Sequence, residues 1–163
     1  MSVFLREVIS LEAFEITFFY NKSNGDIQDM DIFADSFRKY IKLDNDIQFD
    51  RFDDDKDYYE IRCCIFGLVL EKGTFKDFAE SVGKYAEYIF GKFSSVEIVT
   101  GIYEITYYYT ENLNSLSEFS PEFLKNFPLV FIRNKEYNSP DILYRNDKMI
   151  CLYHSNAQSL FEF

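Results

Sequence analysis

Apolar and polar positions along this chain follow two distinct periods, and the switches between them outline the predicted elements. Ser2 to Leu11 places Val3, Phe4, Val8 and Leu11 where a helical face or a strand would accept them, and its β-branched content favours a strand. Phe14 to Tyr20 (FEITFFY) is β-branched and aromatic, and the turn chemistry of Asn21 to Gly25 closes it, which predicts a second strand. The period then lengthens. With Asp26 as N-cap, Ile27, Met30, Phe33, Ala34, Phe37, Tyr40 and Ile41 recur at helical spacing. The charges of this helix run from Asp29, Asp31 and Asp35 to Arg38, Lys39 and Lys42, the order that complements a helix dipole.

Tyr58 to Leu70 reads as a long strand. Glu60 and Arg62 alternate with Tyr59, Ile61 and Cys63, and from Cys63 onward both faces are apolar apart from Gly67, so the strand is predicted to run from the rim into the centre of a sheet. Thr74 and Asp77 suit a capping box for the clearest helix, whose stripe is Phe75, Phe78, Ala79, Val82, Ala86, Ile89 and Phe90 and whose stop is Gly91. Gly83 within it costs about 1 kcal/mol relative to alanine in a solvated helix, which predicts close packing at that turn. Val96 to Thr110 alternates as a strand ending in Tyr107 to Tyr109, with Tyr108 and Glu104 on one face. Ser120 and Pro121 mark the start of a short helix to Phe127, Pro128 to Arg133 is a compact strand, and Asp141 to Tyr144 with Met149 to His154 form a closing hairpin. Leu160, Phe161 and Phe163 end the chain in an apolar tail. Strands grouped with two or three inserted helices predict one α+β domain over residues 1–163, a largely antiparallel sheet with helices packed on it in a single pair of layers.

Composition supports a self-sufficient fold, because 163 residues with 47% hydrophobic content can bury a substantial core. Nineteen Phe and thirteen Tyr with no Trp leave enough tyrosine for some to stand at the surface. The charge of −11 narrows the partners. It repels the polyanionic surfaces of nucleic acid and anionic lipid, so neither direct nucleic-acid binding nor a membrane partner is expected. Cys63, Cys64 and Cys151 form neither a disulfide framework nor a metal spacing, and the N-terminal residues show no leader pattern, which together predict a cytoplasmic protein.

The charge is concentrated. Asp44 to Glu60 (DNDIQFDRFDDDKDYYE) sets eight acidic residues against Arg51 and Lys56, a local balance of −6 within the chain's −11. Ile47, Phe49, Phe52, Tyr58 and Tyr59 interleave with the acids, so the segment can be anchored to a folded body while displaying charge, here predicted as a loop at one end of a central strand.

Chemistry-bearing patterns are weak. An EF-hand loop needs Gly at its sixth position and Glu at its twelfth; from Asp53 those positions hold Tyr58 and Cys64, and from Asp46 they hold Arg51 and Asp57. The lone His154 has no nucleophile or metal partner that spacing identifies, and the six glycines form no phosphate-cradling motif. Pro140 and Asp141 with Asn146, Asp147 and Lys148 approach a restriction-type metal-nuclease arrangement, but Asn146 stands where a metal carboxylate is needed. The expectation is therefore a protein that is not an enzyme, with no catalytic residues, no metal site and no cofactor.

In size, acidity and lack of a catalytic motif the chain resembles small bacterial immunity proteins that neutralise nuclease toxins, including those of contact-dependent growth inhibition. The resemblance implies an inhibitor, an antitoxin in the broad sense, that masks a toxin's basic nucleic-acid-binding cleft. Asp50, Asp53, Asp54, Asp55 and Asp57 are then the candidate complements to the Lys and Arg side chains of a basic protein partner, with Tyr58 and Tyr108 as aromatic anchors. The alternative is a nucleic-acid mimic that inhibits a DNA-binding enzyme in the manner of phage anti-restriction proteins. That reading predicts carboxylates spread over an elongated face.

Overall fold

The computed structural model describes residues 13–24, 27, 30–53, 56–69, 72–103, 106–133 and 135–154. Their framework is a seven-stranded sheet: β1 (Phe14–Asn21), β2 (Ile47–Phe52), β3 (Tyr58–Ile65), β4 (Val96–Ile102), β5 (Leu129–Arg133), β6 (Ile142–Arg145) and β7 (Met149–Tyr153). The spatial order is β2-β3-β1-β4-β5-β7-β6, and every neighbouring pair is antiparallel. Two long helices, α1 (Asp31–Tyr40) and α2 (Lys72–Lys92), join it, as do two single-turn helices, α3 (Tyr107–Thr110) and α4 (Pro121–Leu124). This is the α+β architecture expected, with an antiparallel sheet.

Alternation along β1 assigns the two faces. Phe14, Ile16, Phe18 and Tyr20 meet Phe33 and Phe37 of α1 and Val82, Tyr85 and Ile89 of α2 in one aromatic-rich core. Phe18 stands edge-on to Phe33 and Tyr85, and Phe37 to Tyr85, the geometry that aromatic quadrupoles favour. Burying each of these rings contributes about 2 kcal/mol. On the opposite face Phe19, Ile98, Ile102, Val130, Ile132, Ile150 and Leu152 pack beneath Leu116, Phe119, Leu124 and Phe127 from the chain between β4 and β5. That face is covered by short turns, whereas the first is covered by helices.

Several expectations hold in detail. Asp31 opens α1 and Arg38 and Lys39 close it. The Ser120 side chain accepts from Phe123 N with Pro121 in the first turn of α4. A methyl group added at Gly83 would lie 2.5 Å from Tyr144 Oη and 3.4 Å from Phe131 Cε1, which is the close approach that its place in α2 implied. The predicted first strand over Ser2 to Leu11, the capping positions Asp26 and Asp29 and the tail beyond His154 lie outside the described residues. Ile27, within the described part, is not helical, so α1 starts later than expected, at Asp31 on Met30, which makes no side-chain cap, and α2 runs from Lys72 to Lys92, taking in both the expected cap Thr74 and the expected stop Gly91.

Four further expectations are corrected. The acidic stretch is not loop throughout: Ile47–Phe52 within it is a strand, hairpinned with β3. β3 stops at Ile65 because Gly67 turns the chain at φ +69°, a conformation that suits glycine. It is also the second strand in the sheet, while β1 and β4 hold the middle. Finally, β4 ends at Ile102, and the tyrosine triplet lies in α3 instead of continuing the strand. The cause is buried in β1. Glu15 Oε1 accepts from Thr106 N at 2.8 Å and Thr106 Oγ1 at 2.6 Å, and this carboxylate draws the chain back across the sheet before it can extend.

Candidate partner-binding edge

The acidic hairpin occupies one edge of the sheet. In β2 the side chains alternate: Ile47 and Phe49 pack against the helix-side core, Phe49 edge-on to Phe37, while Gln48, Asp50 and Phe52 take the other face. Asp44 and Asp46 precede the strand and are exposed, and Asp53 and Asp57 flank the turn, also exposed. Asp50 is half-buried, opposite Arg62 in the ladder, and receives Gln48 Nε2 on its Oδ2 at 2.8 Å. Asp53 is committed within the chain, with Lys22 Nζ at 2.9 Å and Arg51 at 3.9 Å. Those two cations also lie over the Tyr59 ring, at 5.0 and 4.7 Å from its centroid. Among the described residues no ion pair engages Asp44, Asp46 or Asp57.

The turn of the hairpin is pinned. Lys56 Nζ donates to three backbone carbonyls of the α3 exit: Thr110, Glu111 at 3.1 Å and Leu113 at 2.6 Å. Asp57 N donates to Asn114 O at 2.7 Å, and Lys22 N donates to Asp57 O at 3.0 Å. The neighbouring 3-10 turn Leu116–Glu118 is held in its own way, since Glu118 accepts from the N–H groups of Ser115 and Asn114. These bonds keep its carboxyl below the usual range. Asp57 therefore projects from a braced position, beside an open cleft also lined by Glu97, Lys22 and Lys135.

Behind the exposed acids lies a second, buried set. Arg62, 6% exposed, donates through Nε and Nη2 to one oxygen of Glu60, 3% exposed, at 3.1 and 3.0 Å, and the Phe52 ring lies 4.0 Å from its guanidinium carbon. Glu15 lies beyond, with the Cys64 thiol donating to its Oε2 at 3.7 Å. Burial, reinforced by the Glu15 charge, pushes that thiol up to about 12, so it stays protonated and unreactive at neutral pH. Thr17 and Thr106 share a hydroxyl contact at 3.0 Å, while Thr100 Oγ1 is buried with no hydrogen-bond partner among the described residues.

The predicted anchors fall differently. Tyr58 is 2% exposed, edge-on to Phe19 and Phe119, and its hydroxyl donates to Leu113 O at 3.2 Å; it secures the turn and displays no ring. Burial first, then the Glu60 charge, raises its pKa well above the ordinary phenol value. Tyr108 sits in α3 and not on an open strand face. Asp54 and Asp55 lie outside the described residues. Thus Asp50, Asp53 and Asp57 come to one hairpin, joined by Asp44 and Asp46. Neither the bracing role of Lys56 nor the Glu60–Arg62 pair has a local sequence signature, and the one local signal for β2 is the two-residue alternation of IQFDRF.

The remaining chemical candidates have structural occupations. His154 is buried, its Nδ1 2.9 Å from Phe127 O and its Nε2 3.6 Å from Asp141 Oδ2, so both ring nitrogens are engaged. Asn146 Oδ1 accepts from Lys148 N and Met149 N and shapes the β6–β7 turn. The described residues hold no cluster of three His, Cys, Asp or Glu suited to a metal ion, and no helix among them is long and apolar enough to cross a membrane. Comparison with protein-family models, curated proteins and solved structures gives no match.

Proposed function

We propose that this protein is a non-enzymatic binding protein that neutralises a basic protein partner, and that the partner is a nuclease toxin to which this chain confers immunity. The observation that carries the reading is the acidic hairpin at a sheet edge, with Asp44, Asp46 and Asp57 exposed and the turn between its strands braced by Lys56. A fixed acidic edge steers a basic surface into contact, and its field would match the cleft with which a nuclease holds phosphates. The acids of this hairpin are concentrated on one edge strand and the residues that flank it, a local concentration that supports this reading over nucleic-acid mimicry.

The test is retention of proteins from a lysate of the source cells on the immobilised chain at about 50 and about 300 mM salt, a range over which screening shortens appreciably. The retained protein is then assayed for nuclease activity with and without added chain. Expected is one basic protein, held at low salt, whose nuclease activity the chain abolishes at stoichiometric ratio and which a variant with Asn at positions 44, 46, 50 and 57 fails to hold. Retention of no basic protein, or a retained protein whose activity is untouched, overturns the proposal.

A further inference from the structure

Resting on that reading, we propose the mode of contact: the partner adds a basic extended segment to the open edge of β2, continuing the sheet. The ladder fixes which backbone groups are available. Phe66 N donates to Asp46 O at 2.9 Å, so Asp46 and Phe66 form a hydrogen-bonded pair, and antiparallel alternation makes 48 with 64, 50 with 62 and 52 with 60 the next ones. Ile47 and Phe49 therefore direct N–H and C=O away from β3. Among the described residues β2 pairs with β3 alone. The side chains of Ile47 and Phe49, half-buried, pack against the helix-side core, so the template is held in place before anything binds.

The two edges of the sheet are treated differently, and this points to use. Edge strands are normally blunted by brevity, bulges, proline or lysine. β6 follows that rule, with four residues and a register shift between Ile142 and Tyr144. β2 has six residues, an unbroken register and neither proline nor lysine. Its protection is charge: Asp44, Asp46, Asp50 and Asp53 lie in or beside the strand, against Arg51 alone. A second copy laid against it would bring together two edges of net negative charge on a chain carrying −11, whereas a Lys- or Arg-rich segment would set its cations near Asp44, Asp46 and Asp50. The net charge of the edge disfavours its own kind and favours the opposite sign, so the occupant is a Lys- or Arg-rich strand.

The probe is a synthetic ten-residue peptide of alternating Lys and Val, compared with two versions N-methylated at alternate residues, one set on each edge of the peptide strand. Methylation leaves the charge intact and removes the N–H groups from one edge only. Expected is salt-sensitive binding of the parent peptide, about tenfold weaker when the edge that meets β2 is methylated and within about twofold when the other is. Amide exchange at Ile47 and Phe49 should slow only with binding peptides. Ile47→Pro, at the first strand position where proline is tolerated, should reproduce the loss with an unchanged circular-dichroism spectrum. Equal binding of all three peptides, still abolished by the joint changes Asp44→Asn, Asp46→Asn and Asp50→Asn, overturns strand addition and leaves the electrostatic reading standing. Binding that ignores both methylation and those carboxylates overturns the two together.

Discussion

The two edges of the sheet are secured in opposite ways. At β6 the strand is short and bulged, Leu143 is 60% exposed, and the Tyr144 hydroxyl reaches into the space left by Gly83 on α2. That edge is held from the helix side by packing. At β2 the strand is regular, braced from the other face by Arg62, Glu60 and Phe52, and clamped at its tip by Lys56. Side-chain cations thus brace the acidic edge, whereas at the other edge an aromatic ring packs into a helix and Asn146 shapes the turn. Carboxylates three residues apart have opposite employments, with Glu60 buried and holding the sheet and Asp57 exposed to the solvent.

The strongest way to break this contrast is Arg62→Met, which takes two donors from a buried carboxylate and should lower unfolding free energy by about 3 to 5 kcal/mol in denaturant titration. Joint replacement of Glu60 and Arg62 by Met should recover most of that loss; a double variant as unstable as the single would mean that the pair does not act as a unit. Next is Lys56→Met, which strips a cation from three carbonyls and should cost about 2 kcal/mol, with faster amide exchange at Asp57. On the opposite edge Gly83→Ala gains helix propensity but displaces Tyr144, so stability should change by no more than about 1 kcal/mol while β6 amides exchange faster. Unchanged β6 exchange would show that Tyr144 does not hold that edge.

Acid should sharpen the comparison further. The depressed Glu118 carboxyl contributes stability that is full above the ordinary carboxylate value and is lost as pH falls through its lower folded value. Glu118→Gln should flatten that acid limb, as seen in thermal melts run at successive pH values. Smallest of all, Asp44→Asn and Asp46→Asn should each leave stability within about 0.5 kcal/mol. Their effect belongs to the association rate of a basic partner and its dependence on salt.

What was legible in the sequence was what neighbours in the chain decide. FEITFFY, the α2 stripe, Ser120 before Pro121 and the β6–β7 hairpin all carry their signals within a dozen residues, and each stands where it was expected. Gly83 was legible too, since an unfavourable residue in a good helix implies a contact. What could not be read were choices made by remote partners. Tyr103 to Tyr109 alternates as a strand would, yet Glu15, some ninety positions earlier, captures Thr106 and ends the ladder. β2 was obscured because Asp50 within it and the aspartates on either side lower strand propensity while its pairing with β3 overrides them. Lys56 looked like one more charge in a charged run, and only the fold brings it to the α3 exit. The aromatic Tyr58 turned inward for the same reason, its hydroxyl finding a carbonyl 55 residues away.

The place of β1 also bears on how the chain is made. Phe14 pairs with Ile65 and Glu15 with Ile102, so both ladders of this strand close with residues synthesised long after it. Its two edges must wait unpaired while some fifty and then nearly ninety further residues emerge, and such distant pairings form slowly. During that interval the nascent chain exposes FEITFFY, an apolar β-prone segment of the kind that associates with its neighbours. A holding chaperone, or a slow rise of the protein in expression, would protect the strand until residue 102 is available to cover it.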